Sequence, residues 1–128
     1  MDAKVMAKRS ELVSMVRRAI SSHIRWRAYA QGLVAGVPVT EDKLPVAHTE
    51  CRFGKWYFGE GMSAFGHLQI FKDIQGPHET LHAVYAQIHE LVSRQRLAEA
   101  EAKLAQLTAI SRTLIEQLEL LEAEVGSR

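Results

Sequence analysis

His78 and His82 are four residues apart. On a helix that spacing separates two side chains by about 6 Å of rise and about 40° around the axis. Two imidazoles placed that way can reach one metal ion. Cys51 is a soft donor that suits Zn²⁺ as a thiolate. His23 falls on the inward face of the first amphipathic stretch, beside Trp26. With His23 and Cys51 each bringing one donor from its own segment, the four make a Cys-His₃ tetrahedral set. Such a set pins three segments at one point and is closed, its ligands deprotonated.

The other histidines fit less well. His89 lies seven residues after His82, on the same face but about 10 Å further along the axis. Zinc, at about 2 Å from each nitrogen, cannot hold both ends of that span, so His89 is read as a core or supporting residue. His48 and His67 fall in or near loops and are read as solvated, although His48 stands only three residues before Cys51.

Two catalytic readings compete. His78-Glu79-Thr80-Leu81-His82 spells H-E-x-x-H, the zinc-hydrolase pattern in which the glutamate is the general base. That pattern belongs in mid-helix beside a substrate-aligning strand. Here Pro77 puts His78 at the start of its helix, and residues 97–128 offer no histidine as a third ligand. A Cys-His nucleophile would need an oxyanion hole and a cleft, which nothing near Cys51 supplies. No catalytic residue is assigned, and the chain is expected not to be an enzyme.

The elements that must position these residues are helical. Apolar residues from Val5 through Leu12, Val16, Ala19, Ile20, His23 and Ala30 recur at three- and four-residue steps, predicting a helix from about Lys4 to about Leu33. Gly32, Gly36 and Pro38 end it, and residues 36–47, with Thr40, Asp42 and Pro45, read as an exposed connection. A short helical piece is expected over Cys51–Tyr57, stopped by Gly59 and Gly61, and another over Met62–Lys72. Gly76-Pro77 opens a long helix. The last helix, about Arg96 to about Val125, carries a heptad seam at 100, 104, 107, 111, 114, 118, 121 and 125. That seam suits a bundle core or an intermolecular coiled coil. No strand-like alternation of useful length occurs. The expected fold is all-α, a four-helix bundle with an irregular, broken second element, in one domain over residues 1–128.

Composition narrows the partners. Sixteen Lys and Arg against fifteen Asp and Glu leave a formal charge of +1, too balanced for a dedicated nucleic-acid binder. The basic residues cluster early (Arg17, Arg18, Arg25, Arg27) and the acidic ones late (Glu116, Glu119, Glu122, Glu124), as expected if complementary helices pack within or between protomers. The single cysteine forms no disulfide within the chain. No stretch approaches a membrane span and no signal sequence opens the chain, so a cytoplasmic location is expected.

Several residues together resemble a known family. His23-Ile24-Arg25-Trp26 gives H-x-x-W, Cys51-Arg52-Phe53-Gly54-Lys55-Trp56-Tyr57 gives C-x-[LF]-G-x-W-[YL], Gly59-Glu60-Gly61 follows, and Pro77-His78 with His82 gives P-H-x-x-x-H. This resembles the bacterial chemoreceptor zinc-binding (CZB) domain of chemoreceptors and diguanylate cyclases. The resemblance implies a four-helix bundle, often a homodimer, holding zinc on His23, Cys51, His78 and His82. It implies regulation of a chemotaxis or cyclic-di-GMP output by zinc availability or by oxidation of the cysteine with hypochlorous acid. Neither a methyl-accepting coiled coil nor a cyclase domain is present here, which leaves a stand-alone member acting on a signalling partner or an excised domain. Trp26, Phe53 and Trp56 are expected to shield the metal or simply to fill the core, and Gly54 to permit a close approach or a positive-φ turn after Cys51. A metal-free helical adaptor is the remaining alternative.

Overall fold

The computed structural model describes residues 3–38, 40 and 44–126. Three long helices dominate: α1 (Ala3–Val34), α5 (Gln75–Ser93) and α6 (Leu97–Gly126). Between α1 and α5 the chain forms a broken fourth element. It consists of α2 (Arg52–Trp56), a π-helical turn (Tyr57–Gly61), α3 (Met62–Phe65) and α4 (Gln69–Lys72). There is no strand among the described residues. The molecule is the all-α bundle with an irregular second element that the sequence predicts.

Each long helix buries the stripe its periodicity announces. On α1 the buried positions are Leu12, Val16, Ala19, His23, Ala30 and Leu33, so His23 sits on the core face at a core interval. On α6, Ala100, Leu107, Ser111, Leu114, Leu118, Leu121 and Val125 are buried. The heptad seam is therefore spent inside the protomer, packed against α1 and α5. The opposed charges meet the same way: Arg17 Nε on α1 lies 2.7 Å from Glu122 Oε1 on α6.

Helix ends follow local chemistry. At the end of α1, Gly36 adopts φ +90°, Val37 N–H donates to the Gly32 carbonyl and Gly36 N–H to the Leu33 carbonyl. This is a Schellman motif, whose left-handed residue favours glycine. Residues 39 and 41–43 of the expected connection, Asp42 among them, lie outside the described residues; the neighbouring positions 36–38, 40 and 44 are exposed. The α5–α6 turn repeats the motif, with Arg96 N–H donating to Leu91 and Gln95 N–H to Val92, but here Gln95 takes the left-handed position at φ 60°.

The broken element departs from the expectation in two places. Gly59 interrupts the helix as expected, with non-helical dihedrals (φ −100°, ψ −109°) inside a π-helical turn, but the break is only a kink: Gly61 is helical (φ −61°, ψ −48°) and the chain resumes at once as α3. The single helix expected over Met62–Lys72 is two, because Leu68 adopts an extended conformation (φ −85°, ψ 129°) between them. That break lets both Phe65 and Phe71 face inward. The Phe71 ring stacks on Tyr57 at 4.3 Å, and Tyr57 Oη–H donates to the Phe71 carbonyl at 2.6 Å.

Candidate metal centre

His23 from α1, Cys51 at the head of α2, and His78 and His82 from α5 converge. Their ligand atoms all lie within 4.8 Å of one another. Cys51 Sγ and His78 Nε2 are already 3.3 Å apart. Tetrahedral bonds of about 2.0–2.3 Å require donor separations of roughly 3.3–3.8 Å, so the four donors stand close to that arrangement.

Backbone carbonyls set the histidine tautomers. A carbonyl only accepts, so His23 Nδ1–H donates to Ala19 O at 2.7 Å, one helical turn back on α1. His82 Nδ1–H donates to Val46 O at 2.9 Å, reaching the connection that leads to α2. In both rings Nε2 is left with its lone pair. Both Nε2 atoms are buried and have no hydrogen-bond partner among the described residues. A buried acceptor without a donor is costly, and two of them facing one thiol make sense as ligands awaiting a cation. Metal-bound histidines characteristically carry such an outer hydrogen bond.

Burial supplies the required charge state. It pulls the His23 pKa down to about 4 and lowers those of His78 and His82, so all three rings are neutral near pH 7. Cys51 goes the other way. Burial raises its thiol pKa, and the hydrogen bond its sulfur accepts from Gly54 N–H (3.2 Å) only partly offsets this. A nearby cation is what would turn this thiol into a thiolate. Three neutral imidazoles and one thiol, with no carboxylate in the cluster, are the donor set of a closed zinc site, and the residues fit that ion.

Cys51 is placed by the local backbone. It is the N-cap of α2, in extended conformation (φ −71°, ψ 158°). Gly54 permits this by close approach: a Cβ there would stand 1.7 Å from the His48 carbonyl oxygen. Phe53 covers the cluster, its ring 5.2 Å from His78 and 6.3 Å from His23. Trp26 flanks it, 6.3 Å from His82 and 4.7 Å from Tyr85. Trp56 does not join this cover; it contacts Phe53, Phe65 and Phe71 one layer away.

A model of the chemoreceptor zinc-binding domain matches residues 23–89, more than half of the 128 residues, starting at His23 and taking in all four donors. The chain belongs to the chemoreceptor zinc-binding family. No curated protein and no solved structure gave a match. Within this CZB chain the remaining histidines separate clearly. His67 is exposed, His89 is half-buried outside the cluster, and His48 is half-buried with its ring 6.0 Å from that of His78. Reading His48 as a solvated loop residue missed its place against the site; its position three residues before Cys51 was the available signal. Glu79 is exposed on α5. No helix among the described residues is long and apolar enough to cross a membrane.

Proposed function

We propose that the chain is a zinc-binding sensory or regulatory domain, occupying residues 1–128, in which His23, Cys51, His78 and His82 ligate Zn²⁺. The observation that carries this reading is the pair of buried, unpartnered Nε2 atoms of His23 and His82, gathered with His78 and a thiol. With zinc bound, Cys51 would be held as a thiolate and the three neutral imidazoles would supply the other donors. Residues from α1, the head of α2 and α5 would thereby be tied together.

Cys51 is the sensing position. It is the one donor on a short helix, and it sits in the element that departs most from regular helix. Hypochlorous acid converts its thiolate to a sulfenic acid with release of chloride, the sulfur losing two electrons to the chlorine. A sulfenic acid is a poorer donor, so Cys51 leaves the set and α2 is released from α5. Zinc scarcity acts at the same joint. The output is a chemotaxis or cyclic-di-GMP pathway reached through a signalling partner, with the domain working as a homodimer in the cytoplasm. The hydrolase alternative is disfavoured because four protein donors leave no open position for substrate and Glu79 is exposed.

Elemental analysis of the purified protein tests the site. The expectation is close to one zinc per wild-type chain and none in a His78→Ala/His82→Ala variant. Wild-type protein that carries no zinc and takes none up when reduced leaves only the helical adaptor. The switch is tested separately, by following helix content and dimedone labelling at Cys51 after one equivalent of hypochlorous acid. Absence of the adduct refutes the oxidative arm.

A further inference from the structure

A fourth imidazole stands beside the four donors. His48 lies in a turn closed by the Glu50 N–H to Ala47 carbonyl bond at 2.9 Å. Its ring centre is 6.0 Å from that of His78. The three ring pairs within the cluster are 4.8, 5.0 and 5.7 Å apart, so the contact of His48 with His78 is only a few tenths of an ångström longer than the widest of them.

The backbone of His48 is held at the site. Its carbonyl is 3.6 Å from Cys51 Sγ, and Gly54 packs against that same carbonyl too closely for any side chain. Its ring is held less firmly. The ring rests edge-on against Phe58 at 5.7 Å, and Phe58 is itself 39% exposed. A fixed backbone with a ring parked just outside the donor set is the arrangement of a ligand in waiting.

We propose that His48 is a reserve ligand: when Cys51 leaves the donor set, the His48 imidazole takes the fourth position and the metal stays in the domain. This rests on the zinc reading above and adds what happens after the sulfur departs. Removing the sulfur leaves three histidines around an ion that favours four ligands, and His48 is a further imidazole whose ring contacts one of them, His78. One metal–sulfur bond breaks and one metal–nitrogen bond forms. The oxidised sulfur keeps its electron pair, the neutral imidazole supplies its own, and the exchange consumes no further oxidant. The domain would then report oxidation by a change of ligand and shape rather than by losing its metal.

The test is a double-mutant cycle on the full chain, combining His48→Ala with Cys51→Ser, which keeps an oxygen to accept the Gly54 N–H. Zn²⁺ affinity is measured by chelator competition, with far-UV circular dichroism confirming the fold; Cys51→Ala carries the same comparison if the serine variant does not fold. We expect His48→Ala to change wild-type affinity by less than about threefold and to weaken the Cys51→Ser protein by about tenfold or more. With Co²⁺ as probe, Cys51→Ser should lose the sulfur charge-transfer band yet keep strong tetrahedral d–d absorption, and that absorption should collapse in the double variant. Equal losses in both backgrounds, or a cobalt spectrum of Cys51→Ser indifferent to His48, overturn the reserve-ligand role. Wild-type protein that binds no zinc sinks the site itself, a result distinct from additivity with zinc bound.

Discussion

His82 Nδ1 and the Val46 carbonyl oxygen lie 2.9 Å apart across 36 residues of sequence. The bond fixes which nitrogen of His82 faces the cluster, and it anchors the chain leading into α2 against α5. With the Ala19–His23 bond it turns the Nε2 of two imidazoles toward the cluster, while burial keeps both rings neutral.

That neutrality has a pH signature. The folded pKa of His23 is about 4, mainly because of burial, and those of His78 and His82 are also lowered. The unfolded value is about 6.5. The unfolded chain therefore binds more protons below pH 6.5, and the metal-free protein loses stability as pH falls from about 6.5 toward 4. His23 alone accounts for a loss on the order of 3 kcal/mol over that window. Urea midpoints of zinc-free protein between pH 7.5 and 4.5 should fall accordingly. A flat profile would mean that the three rings are not buried as described.

Gly54→Ala should damage both fold and site. The added methyl meets the His48 carbonyl, which is backbone and cannot swing aside. A cost of about 2–3 kcal/mol is expected, with weakened zinc binding because Cys51 caps the same turn. Denaturant titration and zinc competition on one sample check both. Unchanged stability would contradict the close approach.

Gln95→Gly should stabilise the protein. Gln95 holds the left-handed position of the α5–α6 turn at φ 60°, where glycine carries no Cβ penalty. A gain of about 0.5–1 kcal/mol is expected, read as a higher melting temperature with zinc content unchanged. A loss would mean that the glutamine side chain makes a contact worth more than the strain.

Tyr57→Phe removes the hydroxyl that donates to the Phe71 carbonyl at 2.6 Å but keeps the stacked ring. The buried carbonyl loses its shortest donor and keeps only backbone partners, Ile74 N–H at 3.3 Å among them, at an expected cost of about 1 kcal/mol. Because this bond joins the π-helical turn to α4, amide exchange should quicken between Tyr57 and Lys72 more than in α6. Uniform acceleration would place the bond in the global unfolding unit instead.

Most of the fold was legible because the long helices announce themselves by apolar periodicity over many turns. The four converging donors were legible for a related reason: His23, His78 and His82 occupy core intervals where a histidine is out of place unless something uses it. The broken element was harder to read. Gly59 does break the helix, but the chain resumes helical geometry at once, where Tyr57, Phe65 and Phe71 pack inward, and that resumption has no local signal. His48 was misplaced for a similar reason. It does lie in a turn with Thr49 and Glu50, but the packing of its carbonyl against Gly54 and Cys51, and of its ring against His78 and Phe58, brings that turn to the site.

The spacing of the donors also matters to the unfolded chain. His23 to Cys51 spans 28 residues and Cys51 to His78 spans 27, so a joint at the cluster ties off two loops of nearly equal length. Closing each costs about 3 kcal/mol in chain entropy by its length alone. Helix α6 donates nothing to the cluster and lies outside both loops, yet it packs against α1 and α5 together. Its buried leucines bring residue 23 toward residues 78 and 82 without any ion. The sulfur is where the middle of the chain joins that frame at the cluster, beside the His82–Val46 bond. On the proposed switch its withdrawal would loosen the head of α2 while the three-helix frame stands, so one atom would mark the boundary between a frame and a tether.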